Sequence, residues 1–211
     1  MKYEWRKQEK SIYLPKANPQ VVEIPKMNYL VLTGKGNPNS ELFAQQTSAL
    51  YALSYDFRMA CKKGILGEEP LEYVVYPLEG IWTTGDGSRG ETLNKEALEY
   101  RIMIRQHSFI TQQNLQDSLE RLAVKKPNPH YEGVTLEEYQ EGTSVQMLHV
   151  GSYDQELASF QTMDHYLQEN NLKRVNIMER YIHREIYLSD PRKVAADKLK
   201  TVLRYQVEKQ N

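Results

Sequence analysis

The chain can be laid on itself, and that constrains its fold more than any other feature. Leu30-Val31-Leu32-Thr33-Gly34 matches Met147-Leu148-His149-Val150-Gly151, Val75-Tyr76 matches Ile186-Tyr187, and Leu98-Glu99-Tyr100 matches Leu203-Arg204-Tyr205, all in order. Two units are too few to stack into a solenoid. They predict an α+β domain of two pseudo-twofold-related strand-helix-strand-strand modules, whose antiparallel sheets carry helices on one face and a ligand groove on the other.

Local signals give each half the same order. A β-rich run over 29–33 is stopped by Gly34-Lys35-Gly36-Asn37-Pro38-Asn39. Ser40 is a helix N-cap, and Leu42, Ala49, Leu50, Leu53, Phe57 and Ala60 follow at helical spacing up to Lys62-Lys63-Gly64. Residues 73–76 read as a strand leading into Leu78-Glu79-Gly80-Ile81-Trp82, and 100–105 as another. Thr111 caps a linking helix bearing Leu115, Leu119 and Leu122 on one face. The pattern then restarts: a strand over 144–150, a helix over 155–170 with Leu157, Phe160, Met163 and Leu167 on one face, and strands over 181–188 and 203–207. The expected organisation is one domain over 1–211: an extended arm (1–20), a first module (21–106), a linking helix (107–130) and a second module (131–211).

Composition narrows the partners. With 40% hydrophobic and 26% charged residues the chain has the balance of a folded globular domain. Lys plus Arg (27) nearly equals Asp plus Glu (28), so no basic field is available and no direct nucleic-acid partner is expected. Cys61 is the one cysteine, which excludes an intramolecular disulfide and fits a reducing compartment. The N-terminal residues lack a signal-peptide core, and no segment approaches the roughly 18 apolar residues of a membrane span, so a cytoplasmic location without membrane association is expected. Neither glycine-rich stretch has phosphate-loop spacing, and the five histidines are dispersed, so no nucleotide, metal or other cofactor is expected. Fifteen tyrosines beside four phenylalanines suit a partly wet aromatic pocket, although core-edge positions account for most of them.

Within 181–188 a period of two puts Tyr181, His183, Glu185 and Tyr187 on one face and Ile182, Ile186 and Leu188 on the other. The second set reads as core, with Arg184 its one misfit. The first set then lines the groove. In the repeat, Tyr187 corresponds to Tyr76 and Glu185 to Val74, so one half carries a carboxylate where the other is aliphatic. Such a carboxylate among tyrosines gains affinity for protons and for lipophilic cations, and it serves either binding or catalysis. The plainer alternative pairs Glu185 with His183, Arg184 or Lys200 at the sheet edge. Trp82 is a groove-lining, rim or core residue. Tyr51, Tyr55 and Arg58 share a helix face that closes one end of the groove or is simply surface. Met147 and His149 share a strand face and complete the candidate lining, a histidine so placed being more often the partner of a backbone carbonyl than a catalytic base.

Five segments carry a family resemblance: residues 35–40, 76–82 (Tyr-Pro-Leu-Glu-Gly-Ile-Trp), 104–106, 145–154 and 183–191. With them the chain resembles, over essentially its whole length, a stand-alone GyrI-like protein, the small-molecule-binding domain also found as the effector domain of AraC-type and MerR-type regulators. The resemblance implies the tandem strand-helix-strand-strand fold and a lipophilic small-molecule ligand. It implies that Glu185 is the acidic residue that in the regulators helps bind lipophilic cations. Some stand-alone members hydrolyse cyclopropane-bearing, DNA-alkylating natural products, which makes Glu185 and Tyr187 the candidate catalytic pair. Trp82, Tyr76, Tyr55, Tyr51, Met147, His149 and His183 are then the candidate ligand contacts. The regulators' DNA-binding domain is not found in this sequence, so a detoxifying hydrolase is expected ahead of a transcriptional role. The alternative is a non-catalytic protein that sequesters lipophilic cations or modulates gyrase.

Overall fold

The computed structural model describes residues 2–210. In chain order its elements are α1 (Trp5–Gln8), α2 (Lys10–Tyr13), β1 (Gln20–Lys35), α3 (Glu41–Lys62), β2 (Leu78–Thr84), β3 (Leu98–Gln106), α4 (Gln112–Lys125), β4 (Thr135–Val150), α5 (Glu156–Glu169), β5 (Leu172–Val175), β6 (His183–Tyr187) and β7 (Lys200–Lys209). The first half contributes the antiparallel set β1-β3-β2 and the second the set β4-β7-β6. Two joins link the sets: β1 to β4, from Gln20 opposite Gln146 to Val31 opposite Thr135, and β2 to β6, from Glu79 opposite Ile186 to Trp82 opposite His183. Like strands meet like at both joins, as a twofold arrangement requires, and six strands close into a barrel. β5 adds a short edge strand beside the end of β7.

The helices lie outside the barrel. Ser40 caps α3 by accepting the Phe43 N–H at 3.3 Å. The stripe Ala49, Leu50, Leu53, Phe57 and Cys61 packs on Leu30, Leu32, Ile102 and Ile104 of β1 and β3. Each buried leucine or phenylalanine contributes roughly 1.5–3 kcal/mol. α5 does the same for β4 and β7, setting Met163 and Leu167 on Val145, Met147, Leu203 and Tyr205. Thr111 and Asn114 form a capping box at the start of α4.

Inside the barrel, apolar Val31, Ile81 and Met103 adjoin a buried ionic network. Arg184 donates to Glu141 Oε2 at 2.6 Å and to Glu79 Oε2 at 2.9 Å. Arg204 donates to Gln146 Oε1 at 3.0 and 2.8 Å and to the Ile12 carbonyl at 2.8 Å. Arg184, Arg204, Glu79 and Glu141 are each at most 1% exposed. Arg184, the misfit of its strand's core face, thus has its counter-ions inside the barrel.

Three expectations change. The N-terminal arm is not extended: it forms α1 and α2, and Trp5 and Tyr13 are buried in the main core. Residues 73–76 are not a strand of the sheet, because the arm takes their backbone: Tyr3 N–H donates to Glu72 O at 2.7 Å and Val74 N–H to Tyr3 O at 2.9 Å. The repeat also has a different register. Gly36 N–H donates to Leu98 O at 2.7 Å and Gly151 N–H to Leu199 O at 3.0 Å, so Gly151 corresponds to Gly36 and Leu199, not Leu203, to Leu98. Carrying that register across, with Trp82 opposite Tyr100 and Tyr187 opposite Thr201, makes Trp82 the counterpart of Tyr187 and Gly80 that of Glu185. The counterpart of the carboxylate is thus a glycine, not Val74.

Replacing Arg184 by methionine strands two buried carboxylates and is expected to cost about 3–5 kcal/mol. Urea unfolding measures this, and an unchanged midpoint would show that the network contributes nothing to stability.

Candidate functional site

Barrel closure decides where the groove lies. The face away from the helices is the filled barrel interior, so Glu185 and its strand-mates sit on the helix side, between the N-terminal ends of α3 and α5. Gly80 lies opposite Glu185 and Trp82 opposite His183, and cross-strand partners share a face. Trp82 stacks on Phe43 of α3 with ring centroids 6.0 Å apart and leans on Tyr100 at 5.1 Å. On the other wall, Phe160 of α5 meets His183 edge-on at 4.7 Å, and Tyr153 meets Tyr187 edge-on at 5.8 Å.

Glu185 occupies the floor between these walls, with its side chain 13% exposed. Both carboxylate oxygens are engaged: Oε1 with His183 Nε2 at 2.8 Å, and Oε2 with the Tyr187 hydroxyl, which donates at 2.8 Å. The Trp82 indole N–H donates to the Tyr187 oxygen at 3.1 Å, completing a chain from Trp82 through Tyr187 to Glu185. Burial, and then the charge of Glu185, raises the Tyr187 pKa well above that of an ordinary phenol. Tyr187 is therefore a neutral hydroxyl donor. The absent side chain of Gly80 makes room for this layout, since a Cβ there would come within 2.6 Å of the Trp82 Nε1.

The expected site residues divide. His183, Glu185, Tyr187 and Trp82 are brought together, and the paired alternative foreseen for Glu185 with His183 is present within the groove. Tyr51 and Tyr55 lie side by side along α3 in a tilted pair with ring centroids 6.4 Å apart, and burial raises the Tyr51 pKa, with the charge of Asp190, just beyond Tyr187, among the lesser causes. Tyr181 turns away to join Ile177 in the barrel-end cluster. Tyr76 also lies apart: its hydroxyl donates to Glu9 at 2.7 Å and the Arg105 guanidinium sits 4.6 Å over its ring. That joint fastens the arm to the barrel, beside a cavity of about 430 Å³ lined in part by Tyr3, Tyr76, Arg105 and His107. Met147 is core beneath α5, and His149 is held by Ser159 Oγ at 2.9 Å and the Ser152 carbonyl at 3.1 Å, so neither lines the groove.

Four neighbours escaped the sequence reading: Phe43, Tyr153, Glu156 and Phe160. All follow the glycine turns at 34–36 and 151, just before or within the first five residues of helices whose ends converge on the groove. The repeat carried that signal, because equivalent helix starts must face each other across the axis.

A family model for the GyrI-like small molecule binding domain matches residues 17–207. Among solved structures, a hydrolase from Listeria innocua is 33% identical with a TM-score of 0.84, covering 98% of this chain and 100% of its own. An uncharacterized conserved protein from Listeria innocua is 34% identical with a TM-score of 0.87, again over 98% and 100%. The EcmrR C-terminal domain, 13% identical with a TM-score of 0.56 over 94% of this chain and 99% of its own, shares the fold alone. No match emerges among curated proteins. Among the described residues no helix is long and apolar enough to cross a membrane.

The glycine dependence is testable. Gly80→Ala should displace the indole and break its bond to Tyr187, with a shift in tryptophan fluorescence and at least tenfold weaker ligand binding, while far-UV circular dichroism stays unchanged. Unaltered fluorescence and binding would mean that the close approach has no role.

Proposed function

We propose, from the premise that this chain belongs to the GyrI-like small-molecule-binding family, that it hydrolyses a flat lipophilic molecule of the cyclopropane-bearing, DNA-alkylating class at the Glu185 groove. Hydrolysis is favoured over simple binding by the relative from Listeria innocua that is named a hydrolase. The observation that carries the reading is the floor of the groove: a shielded carboxylate, oriented through both oxygens, between two aromatic walls.

In this reading the substrate is a cyclopropane conjugated to a dienone. Water attacks the electrophilic ring carbon, a C–C bond of the cyclopropane breaks, and its electron pair passes through the ring to the dienone oxygen. Glu185 accepts the proton that water loses. As Glu185 becomes neutral its hold on the Tyr187 hydroxyl weakens, which frees that hydrogen for the oxygen becoming phenolate. Trp82 and Phe43 hold the flat scaffold on one side and Phe160 on the other. Strain release and aromatisation supply the driving force, so orientation and proton handling are what the protein adds. Tyr153, 38% exposed, is the most exposed ring of these walls. The physiological role is detoxification in the cytoplasm.

A protein that only sequesters a lipophilic cation at the same carboxylate releases its ligand intact. Mass spectrometry of a cyclopropanoid after incubation separates the two, because hydrolysis adds the mass of water. Glu185→Gln should leave ligand binding within about threefold and slow turnover by roughly 10²-fold or more. Turnover at the wild-type rate would remove Glu185 from the mechanism.

A further inference from the structure

A second carboxyl lies against this groove. Glu156 is the first residue of α5 and is 5% exposed. Its place follows from a row of cross-strand neighbours: Thr201 of β7 is opposite Tyr187 on one side and His149 on the other. His149 clamps the start of α5 onto that row through Ser159 and the Ser152 carbonyl. Glu156 therefore comes down over Thr201, the cross-strand partner of Tyr187, within electrostatic reach of Glu185. The two side chains approach without reaching hydrogen-bond geometry, since Glu156 Oε1 and Thr201 Oγ1 are both buried and unpartnered.

The charged groups facing Glu156 are acidic. Glu185 reaches it from β6, and Asp154 from the turn before α5, where Asp154 is itself paired with Lys95 at 2.7 Å. Tyr153 and Tyr187 present neutral hydroxyls, their pKa values raised by burial. His149 has both ring nitrogens committed, and His183 is paired with Glu185. Among the described residues the electropositive influences here are Lys95, already paired with Asp154, and the α5 N-terminus, equivalent to roughly half a unit charge. They stand against burial and two carboxylates.

We propose that Glu156 is the second carboxyl of this groove, a proton-bearing positioning residue that governs the pH range over which Glu185 acts as a base. The role rests on the hydrolase reading above; the protonation does not. Burial first, and then the charge of Glu185, push the Glu156 pKa well up. While Glu156 is neutral, the groove floor carries one negative charge, on Glu185. Once Glu156 ionises, its charge adds to that of Glu185 beneath aromatic walls, and the repulsion displaces Glu185 and its partners. A carboxyl whose folded pKa is raised contributes stability that is complete below its unfolded value and is lost as pH rises through the folded one.

Carboxyl ¹³C NMR on glutamate-labelled protein tests the assignment without any substrate. One resonance should titrate above the ordinary glutamate range, vanish in Glu156→Gln, and move back toward that range in Glu185→Gln. The wild-type and Glu185→Gln spectra decide the point even if Glu156→Gln fails to fold, and titration of every glutamate in the ordinary range would overturn the proposal. Turnover tests the role. Wild-type kcat should fall about tenfold per pH unit on its alkaline side, and Glu156→Gln, uncharged at every pH, should abolish that fall and leave the acid limb in place. An alkaline limb that persists in a folded Glu156→Gln overturns the governing role. If the raised titration is seen but no cyclopropanoid is turned over, the hydrolase reading fails and the proton-bearing assignment stands.

Discussion

Arg184, enclosed between Glu79 and Glu141, is the contact on which the geometry of the groove depends. Successive residues of a strand point to opposite faces, so an arginine anchored inside the barrel forces His183 and Glu185 outward. A slip of one residue would put Glu185 in the interior and Arg184 among the aromatic rings. A buried ion pair is weak evidence for stability, because desolvation offsets most of the attraction. Its effect here is specificity of register: other registers leave full charges buried without partners, at several kcal/mol each.

The two halves share a fold and use it differently. Gly80 and Glu185 occupy equivalent positions, as do Trp82 and Tyr187, given the glycine turns and the ladder registers. One half supplies an open floor across which Trp82 lies, and the other supplies the carboxylate and hydroxyl that the indole completes. A symmetric groove would have held two carboxylates or none. Glu156 adds a further asymmetry: both helices begin with a glutamate, but Glu41 at the start of α3 is exposed and Glu156 at the start of α5 is buried.

The far mouth of the barrel shows what the N-terminal arm does. Tyr3 and Tyr76 donate to Glu9 at 2.5 and 2.7 Å, and Arg105 pairs with the same carboxylate. Burial opposes the ionised form of Glu9, but these three partners outweigh it and hold its pKa below the usual carboxylate value. This cluster is structural and binds α1 and α2 to the sheet. It consumes Tyr76, which sequence symmetry alone had assigned to the ligand groove.

Periodicity, caps and the repeat were sufficient for the α+β class, the helix starts at Ser40 and Thr111, and the alternation that puts His183, Glu185 and Tyr187 together, because those follow from local geometry with periods of 3.6 and 2. The β-richness of residues 73–76 was misleading, since a segment that pairs with the arm has the same composition as one that pairs in a sheet. The register of the repeat was also beyond reach, because short apolar runs match at several offsets and hydrogen-bond ladders choose among them. Only the tertiary structure decided that the sheets close, and closure is what moves the groove to the helix side and brings in Phe43, Tyr153, Glu156 and Phe160. Those contacts join residues on separate elements, such as Phe43 with Trp82 and Phe160 with His183, and a linear pattern carries no distance between segments until packing brings them to one surface.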